Sequence, residues 1–192
     1  IVVGSMNRGG LRGASFEMDD RYTAYNVDSI VRDGLDFAKN LIRINLADAG
    51  TADTLESSAL AVDEAAAAKL PIMLEPFMSE WVNGAIKNNL TTDEVIKSVA
   101  IVSGLGNSSA YSWLKLPVVP GMDRVMAATT LPTLLLGGDP AEGEQERVFS
   151  EWAEALKLPG VRGLVIGRSI LYPEGDDVAA AIDAAAKLVH SN

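Results

Sequence analysis

Apolar runs typical of buried strands alternate along this chain with segments whose apolar residues recur at helical spacing. Thr91 and Glu94 form a capping box at the start of one such segment, and Gly104 is a natural place for that helix to end. Alternation of strands and helices is typical of a parallel sheet with crossover helices. Six runs are predicted as strands, over residues 1–7, 38–45, 70–77, 111–118, 133–137 and 161–167.

Six strand–helix units favour a (β/α)8 barrel, a fold that has eight units and usually about 250 residues. We therefore expect residues 1–192 to form a single barrel domain that supplies strands three to eight, with strands one and two missing. Ile1 begins the chain inside a predicted strand, which suggests a longer natural protein. The rival fold is an open doubly wound sheet, but no glycine-rich nucleotide loop supports it.

The composition and charge of the chain exclude several classes of function. The net charge of −10 argues against nucleic-acid binding, which needs a basic surface. The chain has no cysteine and one histidine, His190, so it offers no cysteine nucleophile, no Ser-His pair in the fold's interior and no multi-histidine metal site. No apolar run is long enough to span a membrane and no signal peptide is visible, which predicts a cytoplasmic protein.

Lys115 is the most informative residue, because it lies in a predicted buried strand beside Trp113, Leu114 and Leu116. Lysine is depleted in strands and is rarely buried without a partner. A buried lysine loses its proton more readily than an exposed one, and a neutral amine can attack a carbonyl to form a Schiff base. The alternative is a lysine at the strand end whose ammonium reaches water.

Two neighbouring strands carry further polar residues. Lys39, Arg43 and Asn45 share one face of the second strand by its two-residue period, and Glu75 lies in the third. We expect Lys39, Glu75 and Lys115 to meet in one cavity. There a second cation favours the neutral form of a lysine and a carboxylate can transfer protons. The alternative is a structural ion-pair network, which can resemble an active site.

The last two strands end in loops suited to phosphate. One carries Gly137-Gly138 and the other Gly167-Arg168. The loops after the last two strands of a barrel often bind phosphate through backbone N–H groups, and Arg168 adds a charged donor. These features predict a phosphorylated small molecule as the substrate.

A third loop follows the first predicted strand, over residues 7–20, and is rich in glycine and charge. Arg8 or Arg12 could bind an anionic group of the substrate there. A solvated loop without function is the alternative.

Three strand segments together resemble the class I aldolases of the deoxyribose-phosphate, tagatose-bisphosphate and archaeal-type fructose-bisphosphate superfamily. They are residues 37–43 (FAKNLIR), 71–75 (PIMLE) and 113–117 (WLKLP), and the glycine loops fit the same pattern. The resemblance extends over residues 1–189. Within the superfamily the chain is most similar to a bacterial branch often associated with inositol breakdown.

The resemblance implies that Lys115 forms the Schiff base, Glu75 acts as acid and base, and Lys39 assists Lys115. Arg43 is expected to contact the substrate, a phosphorylated ketose or keto sugar acid. No metal or organic cofactor is expected, and the protein is expected to associate with copies of itself. The phosphate would be held by Gly137, Gly138, Gly167 and Arg168.

The chain also departs from the superfamily pattern. The aspartate of the family's first strand has no counterpart here, and Asn45 replaces an apolar or aromatic residue. Two other functions stay open: a sugar-phosphate isomerase or epimerase, and a non-catalytic barrel that binds a sugar phosphate.

Overall fold

The computed structural model of the protein describes residues 1–7, 14, 17–137 and 143–190. The strands are β1 (Val3–Ser5), β2 (Phe37–Ile44), β3 (Ile72–Val82), β4 (Ala85–Asn88), β5 (Ser112–Pro117), β6 (Thr133–Leu136) and β7 (Val161–Val165). The helices are α1 (Val27–Arg32), α2 (Gly50–Ala67), α3 (Thr92–Val102), α4 (Met122–Ala127), α5 (Gln145–Leu156), α6 (Arg168–Leu171) and α7 (Val178–His190), with a 3-10 turn at Glu174–Asp176.

Six strands form one curled parallel sheet in the order β1-β2-β3-β5-β6-β7, and β4 pairs antiparallel with β3. Consecutive parallel strands are joined by helices, as the alternating pattern predicts. The result is an α/β half-barrel, which confirms the fold class at this level.

The two faces of the sheet differ in character, and β2 shows the difference. Ala38, Ile42 and Ile44 are fully buried in the apolar core, whereas the intervening side chains of Lys39 and Arg43 are only partly covered. Side chains of a strand alternate between faces, so Lys39 and Arg43 share the concave face of the sheet and Asn40 lies on the other. This alternation places the candidate catalytic and substrate-binding residues of β2 on the inner side of the curled sheet.

Two elements differ most from what the sequence predicts. Apolar spacing predicts a helix over residues 27–37, but α1 ends at Arg32, because Gly34 takes a left-handed conformation at φ 69° and Phe37 already belongs to β2. The third strand continues past Phe77 to Val82 and turns back into β4. The turn is Asn83-Gly84, both at positive φ, a pair that favours tight hairpin turns.

A buried amide network ties β1 to β2. Asn7 donates from Nδ2 to Asn40 Oδ1 at 2.8 Å and to the Leu41 carbonyl at 2.7 Å, and its Oδ1 accepts from Leu41 N at 3.0 Å. Asn40, which is fully buried, donates to the Tyr22 hydroxyl at 2.7 Å and to Ser58 Oγ at 3.0 Å. The network fixes the strand segment on either side of Asn40, and Lys39 belongs to that segment.

We expect Asn40→Ala to lower the free energy of unfolding by about 1–3 kcal/mol, since it leaves buried donors and acceptors without partners. Urea denaturation measures the loss. Asn107→Ala is the control, because its bonds to Asp63 are made at an exposed site and can be replaced by water. Equal losses in the two variants would contradict a special role for the buried network.

Candidate active site

Two lysines share one carboxylate on the concave face of the sheet. Lys115 Nζ lies 2.8 Å from Glu75 Oε1, and Lys39 Nζ lies 2.5 Å from Glu75 Oε2. The Glu75 side chain is 8% exposed, and those of Lys39 and Lys115 are 16% and 15% exposed. The structure therefore brings together the three residues predicted to form the catalytic cluster.

Strand register explains the cluster. Glu75 pairs with Leu41 in β2, and Lys39 pairs with Met73, two residues before Glu75. The β3–β5 ladder continues through Leu74 and Leu114, which places Glu75 beside Lys115 on the same face. Lys39 reaches Glu75 from one side and Lys115 from the other.

Burial and charge compete at each group of this cluster. Burial lowers the pKa of the Lys39 ammonium below its usual value, although Glu75 and, more weakly, Asp20 oppose the shift. Burial alone would raise the pKa of Glu75, but the ammonium groups of Lys39 and Lys115 together hold it below its ordinary value. Glu75 is consequently ionised at neutral pH and can accept a proton.

Aromatic rings lie next to the cluster on the same face. Phe37 and Trp113 meet edge to face, with ring centroids 5.4 Å apart. Each lies two residues before a cluster lysine, so the rings are on the amino-terminal side of Lys39 and Lys115. This apolar floor limits water on that side and leaves the carboxyl-terminal side for a ligand.

Arg43 lies further along β2, and it is paired with an acidic residue that the sequence analysis missed. Its Nη1 is 2.8 Å from Glu17 Oε1, and the two side chains are 12% and 8% exposed. Glu17 belongs to the segment between β1 and α1. Nothing periodic marks this residue, because it lies outside any strand or helix.

The predicted phosphate loops are described in part. Arg168 is exposed at the start of α6, and Gly167 has open space where a side chain would stand. A Cβ atom at Gly137 would lie 2.5 Å from Ile166 Cγ2 and 2.8 Å from Ile166 Cβ. Gly137 is thus required by the close approach of β6 and the end of β7, whatever else it does.

The remaining predicted residues are of two kinds. Gly138, Arg8 and Arg12 lie outside the described residues. Asn45 follows the end of β2, where its Oδ1 accepts from Ala47 N at 3.0 Å, so it shapes the loop before α2. This loop role accounts for a polar residue at that position.

The structure also shows a tether that the sequence analysis missed. Trp81, near the tip of the β3–β4 hairpin, donates from Nε1 to Asp48 Oδ2 at 2.9 Å. Asp48 lies in the loop between β2 and α2, so the bond joins the carboxyl-terminal extensions of two neighbouring strands.

Within the part of the chain that the structure describes, no three His, Cys, Asp or Glu side chains are grouped as metal ligands. None of the helices in the described ranges combines the length and apolar character needed to cross a membrane.

The model of the Cgl0159-like family matches residues 1–186. The crystal structure of Cgl0159 from Corynebacterium glutamicum is 68% identical to the chain, with a TM-score of 0.96. The match covers 100% of this chain and 64% of that protein, so the chain spans less than two thirds of its relative's length. A comparison with curated proteins gives no match.

More distant structures are aldolases. A Schiff-base-forming fructose-1,6-bisphosphate aldolase is 19% identical at a TM-score of 0.68, over 89% of this chain and 64% of that one. An archaeal fructose 1,6-bisphosphate aldolase is 18% identical at a TM-score of 0.69, over 90% and 65%. At such identities the likeness shows the fold alone: the half-barrel of this chain is similar to part of these aldolase barrels.

Proposed function

Because the chain belongs to the Cgl0159-like family and carries the Lys115–Glu75–Lys39 cluster on an aldolase-type sheet, we propose that it works as a class I aldolase. The substrate is a phosphorylated ketose or keto sugar acid, and the reaction proceeds through a Schiff base on Lys115. The contact of one buried carboxylate with two lysines is the observation that carries this proposal.

The proposal extends to the fold. In the described residues β1 pairs only with β2, and β7 only with β6, so each leaves a row of backbone N–H and C=O groups for another strand. Two more strands between them would close a (β/α)8 barrel, with the chain contributing strands three to eight. The closed barrel would act in the cytoplasm as a homo-oligomer.

The chemistry begins at Lys115. Its neutral amine adds to the keto carbon, and the carbonyl oxygen takes one proton from the amine and one from solvent and leaves as water, which produces an iminium ion. Glu75 takes the proton of the hydroxyl on the carbon beyond the scissile bond, that bond breaks, and its electron pair moves to the iminium as an enamine. The aldehyde fragment leaves. A proton then adds to the enamine carbon, and water hydrolyses the iminium to release the ketone and Lys115.

Other residues assist these steps. Lys39 holds the second oxygen of Glu75 and orients its carboxylate toward Lys115. The phosphate is held at the ends of β6 and β7 by Gly137, Gly138, Gly167 and Arg168. That the protein acts in inositol breakdown stays a prediction.

Imine trapping tests the proposal. The full-length protein is incubated with ketose phosphates and borohydride, and the reduced adduct is mapped by mass spectrometry. An adduct on Lys115 with a substrate that turns over supports the aldolase. Turnover of a sugar phosphate without any adduct would favour an isomerase or epimerase, and binding without turnover would favour a non-catalytic barrel.

Arg168→Ala tests the phosphate site. We expect it to weaken the binding of phosphorylated substrates by about 1.5–3 kcal/mol relative to unphosphorylated analogues, because a charge-assisted hydrogen bond is lost. The ratio of kcat/KM for the two substrate types measures the effect. Arg162→Ala removes an exposed arginine from β7 and serves as the control. Equal losses for both substrate types in Arg168→Ala would contradict a phosphate role.

A further inference from the structure

One edge of the β3–β4 hairpin has no neighbouring strand among the described residues, because β4 pairs with β3 alone. Asn89 N donates to the Met78 carbonyl at 2.8 Å just beyond the paired residues, so the backbone of residue 89 faces β3. Backbone groups along an antiparallel strand point to alternate sides. The N–H and C=O groups of Ile86 and Asn88 therefore point away from β3, toward the position of a further strand.

Two side-chain hydrogen bonds hold the hairpin in place. Trp81 donates to Asp48 at 2.9 Å, which ties the hairpin to the loop after β2. Ser79 Oγ donates to Asn88 Oδ1 at 2.8 Å, which ties β4 to β3. An edge that is already ordered loses less conformational freedom on binding than a mobile one. The free edge of β4 is therefore suited to pairing with another chain.

Exposed apolar side chains lie at both ends of this edge. Val82, which is 38% exposed, precedes the turn, and Leu90, which is 49% exposed, follows β4 by two residues. Specific interfaces bury about 1,200–2,000 Å² in total, which is more than a short strand edge supplies. Apolar residues beside the unpaired backbone groups add to that area, so the surface is of the kind that takes an added strand.

A second copy of this chain fits the edge, and Lys87 selects the register. Lysine on an edge strand usually opposes pairing. A two-fold axis at Lys87 would set the two ammonium groups directly opposite each other, which is destabilising. An axis at Asn88 would set Ile86 opposite Leu90, beyond the end of β4. An axis at Ile86 avoids both problems, because each Lys87 then lies opposite Ala85 of the second copy.

The side chains also match in the register centred on Ile86. Within the hairpin Trp81 pairs with Ile86, and Glu80 pairs with Lys87. Across the axis one face would carry an unbroken apolar row, in which the two Ile86 side chains meet between the two Trp81 side chains. Each row on the other face would hold one Glu80 and one Lys87, so its charges balance. The edge is thus complementary to itself, as a two-fold interface requires.

We propose that two copies of this protein associate through β4, in an antiparallel two-fold pairing centred on Ile86. The hairpins of both copies then form one continuous antiparallel sheet, and the Leu90 end of each edge lies beside the Val82 end of the other. The proposal rests on the homo-oligomer proposed above and gives it an interface. It does not depend on the aldolase reaction.

Ile86→Pro tests the backbone contact. The N–H group of residue 86 points away from β3, so proline leaves the hydrogen bonds of the hairpin intact and removes the central donor of the interface. Light scattering after size exclusion measures the mass of the full-length protein. We expect an even number of copies in the wild-type protein and half that mass in Ile86→Pro. Leu60→Ala, which removes an exposed apolar side chain from α2, is the control and should keep the wild-type mass.

Ile86→Cys tests the register, and it decides the matter if Ile86→Pro does not fold. Residues 1–192 contain no cysteine, and the unmodified protein reports on any cysteine elsewhere in the full-length chain. Hydrogen-bonded antiparallel partners have Cα atoms about 5.5 Å apart, within the range of roughly 4.4–6.8 Å that a disulfide bridges. Mild oxidation should therefore join two copies of Ile86→Cys. Leu60→Cys measures cross-linking by chance collision.

The outcomes separate the interface from the other proposals. A monomeric wild-type protein would overturn both the interface and the homo-oligomer. An oligomer whose mass is unchanged in Ile86→Pro would overturn the interface alone, and so would disulfide formation in Ile86→Cys no greater than in Leu60→Cys. None of these results bears on the aldolase function, which imine trapping tests independently.

Discussion

We expect Lys115→Arg to abolish turnover and to leave no borohydride-trapped adduct in the full-length protein. A guanidinium stays protonated at any pH that the protein tolerates and cannot form the imine, although it keeps the positive charge beside Glu75. The measurement is substrate cleavage together with intact mass after reduction. Lys187→Arg, on the exposed side of α7, is the control and should behave as the wild-type protein does.

The Lys115→Arg experiment also tests whether Lys39 is the nucleophile instead of Lys115. It contacts the same carboxylate as Lys115, and burial lowers its pKa, so it is the rival for the covalent bond. We expect Lys39→Arg to retain an adduct on Lys115 and to form it more slowly. An adduct on Lys39 in the wild-type protein, or persistent labelling of Lys115→Arg, would assign the Schiff base to Lys39 instead.

Glu75→Gln should lower kcat by about 10²–10⁴-fold, the usual effect of losing a group that transfers protons. An amide cannot accept the hydroxyl proton, whereas imine formation at Lys115 needs the amine and a proton that solvent can supply. Borohydride trapping should therefore survive while turnover falls. Glu56→Gln, which removes an exposed carboxylate from α2, is the control. Near-normal kcat in Glu75→Gln would indicate that Glu75 has only a structural role.

The same variant should be less stable, and the loss should depend on pH. Glu75→Gln leaves two ammonium groups without their shared counterion, which we expect to cost roughly 3 kcal/mol, the lower end of the range for a broken buried pair. The folded protein holds the pKa of Glu75 below its ordinary value of 4.5. Its contribution to stability is therefore complete above that pH and is lost as the pH falls through the lower, folded value. The difference between the two proteins in urea denaturation should be largest near neutral pH and shrink in acid.

The cluster of Lys39, Glu75 and Lys115 could be predicted because it depends on a simple rule. Side chains alternate along a strand, so Lys39, Glu75 and Lys115 share a face once their segments are recognised as neighbouring parallel strands. The contact itself required the register, which the sequence does not contain. An offset of one residue between β2 and β3 would have turned Glu75 to the other face.

Other features lay beyond the sequence analysis for different reasons. Glu17 is brought to Arg43 by an irregular segment, where no period relates position to direction. The buried partners of Asn40 come from distant parts of the chain, so an isolated asparagine in a strand pattern did not reveal them. The β3–β4 hairpin could have been predicted from the sequence, since Asn83-Gly84 between apolar residues is a strong turn signal.

The close approach of Gly137 to Ile166 restricts how this protein can evolve. Any side chain at position 137 would collide with the β-branched side chain of Ile166, so the two positions form one epistatic unit. A descendant that acquires alanine at 137 is expected to need a smaller residue at 166 first, because the reverse order passes through a variant with this collision. Position 137 can therefore change only after position 166 has changed, and a mutant library that varies position 137 alone is expected to yield mostly destabilised variants.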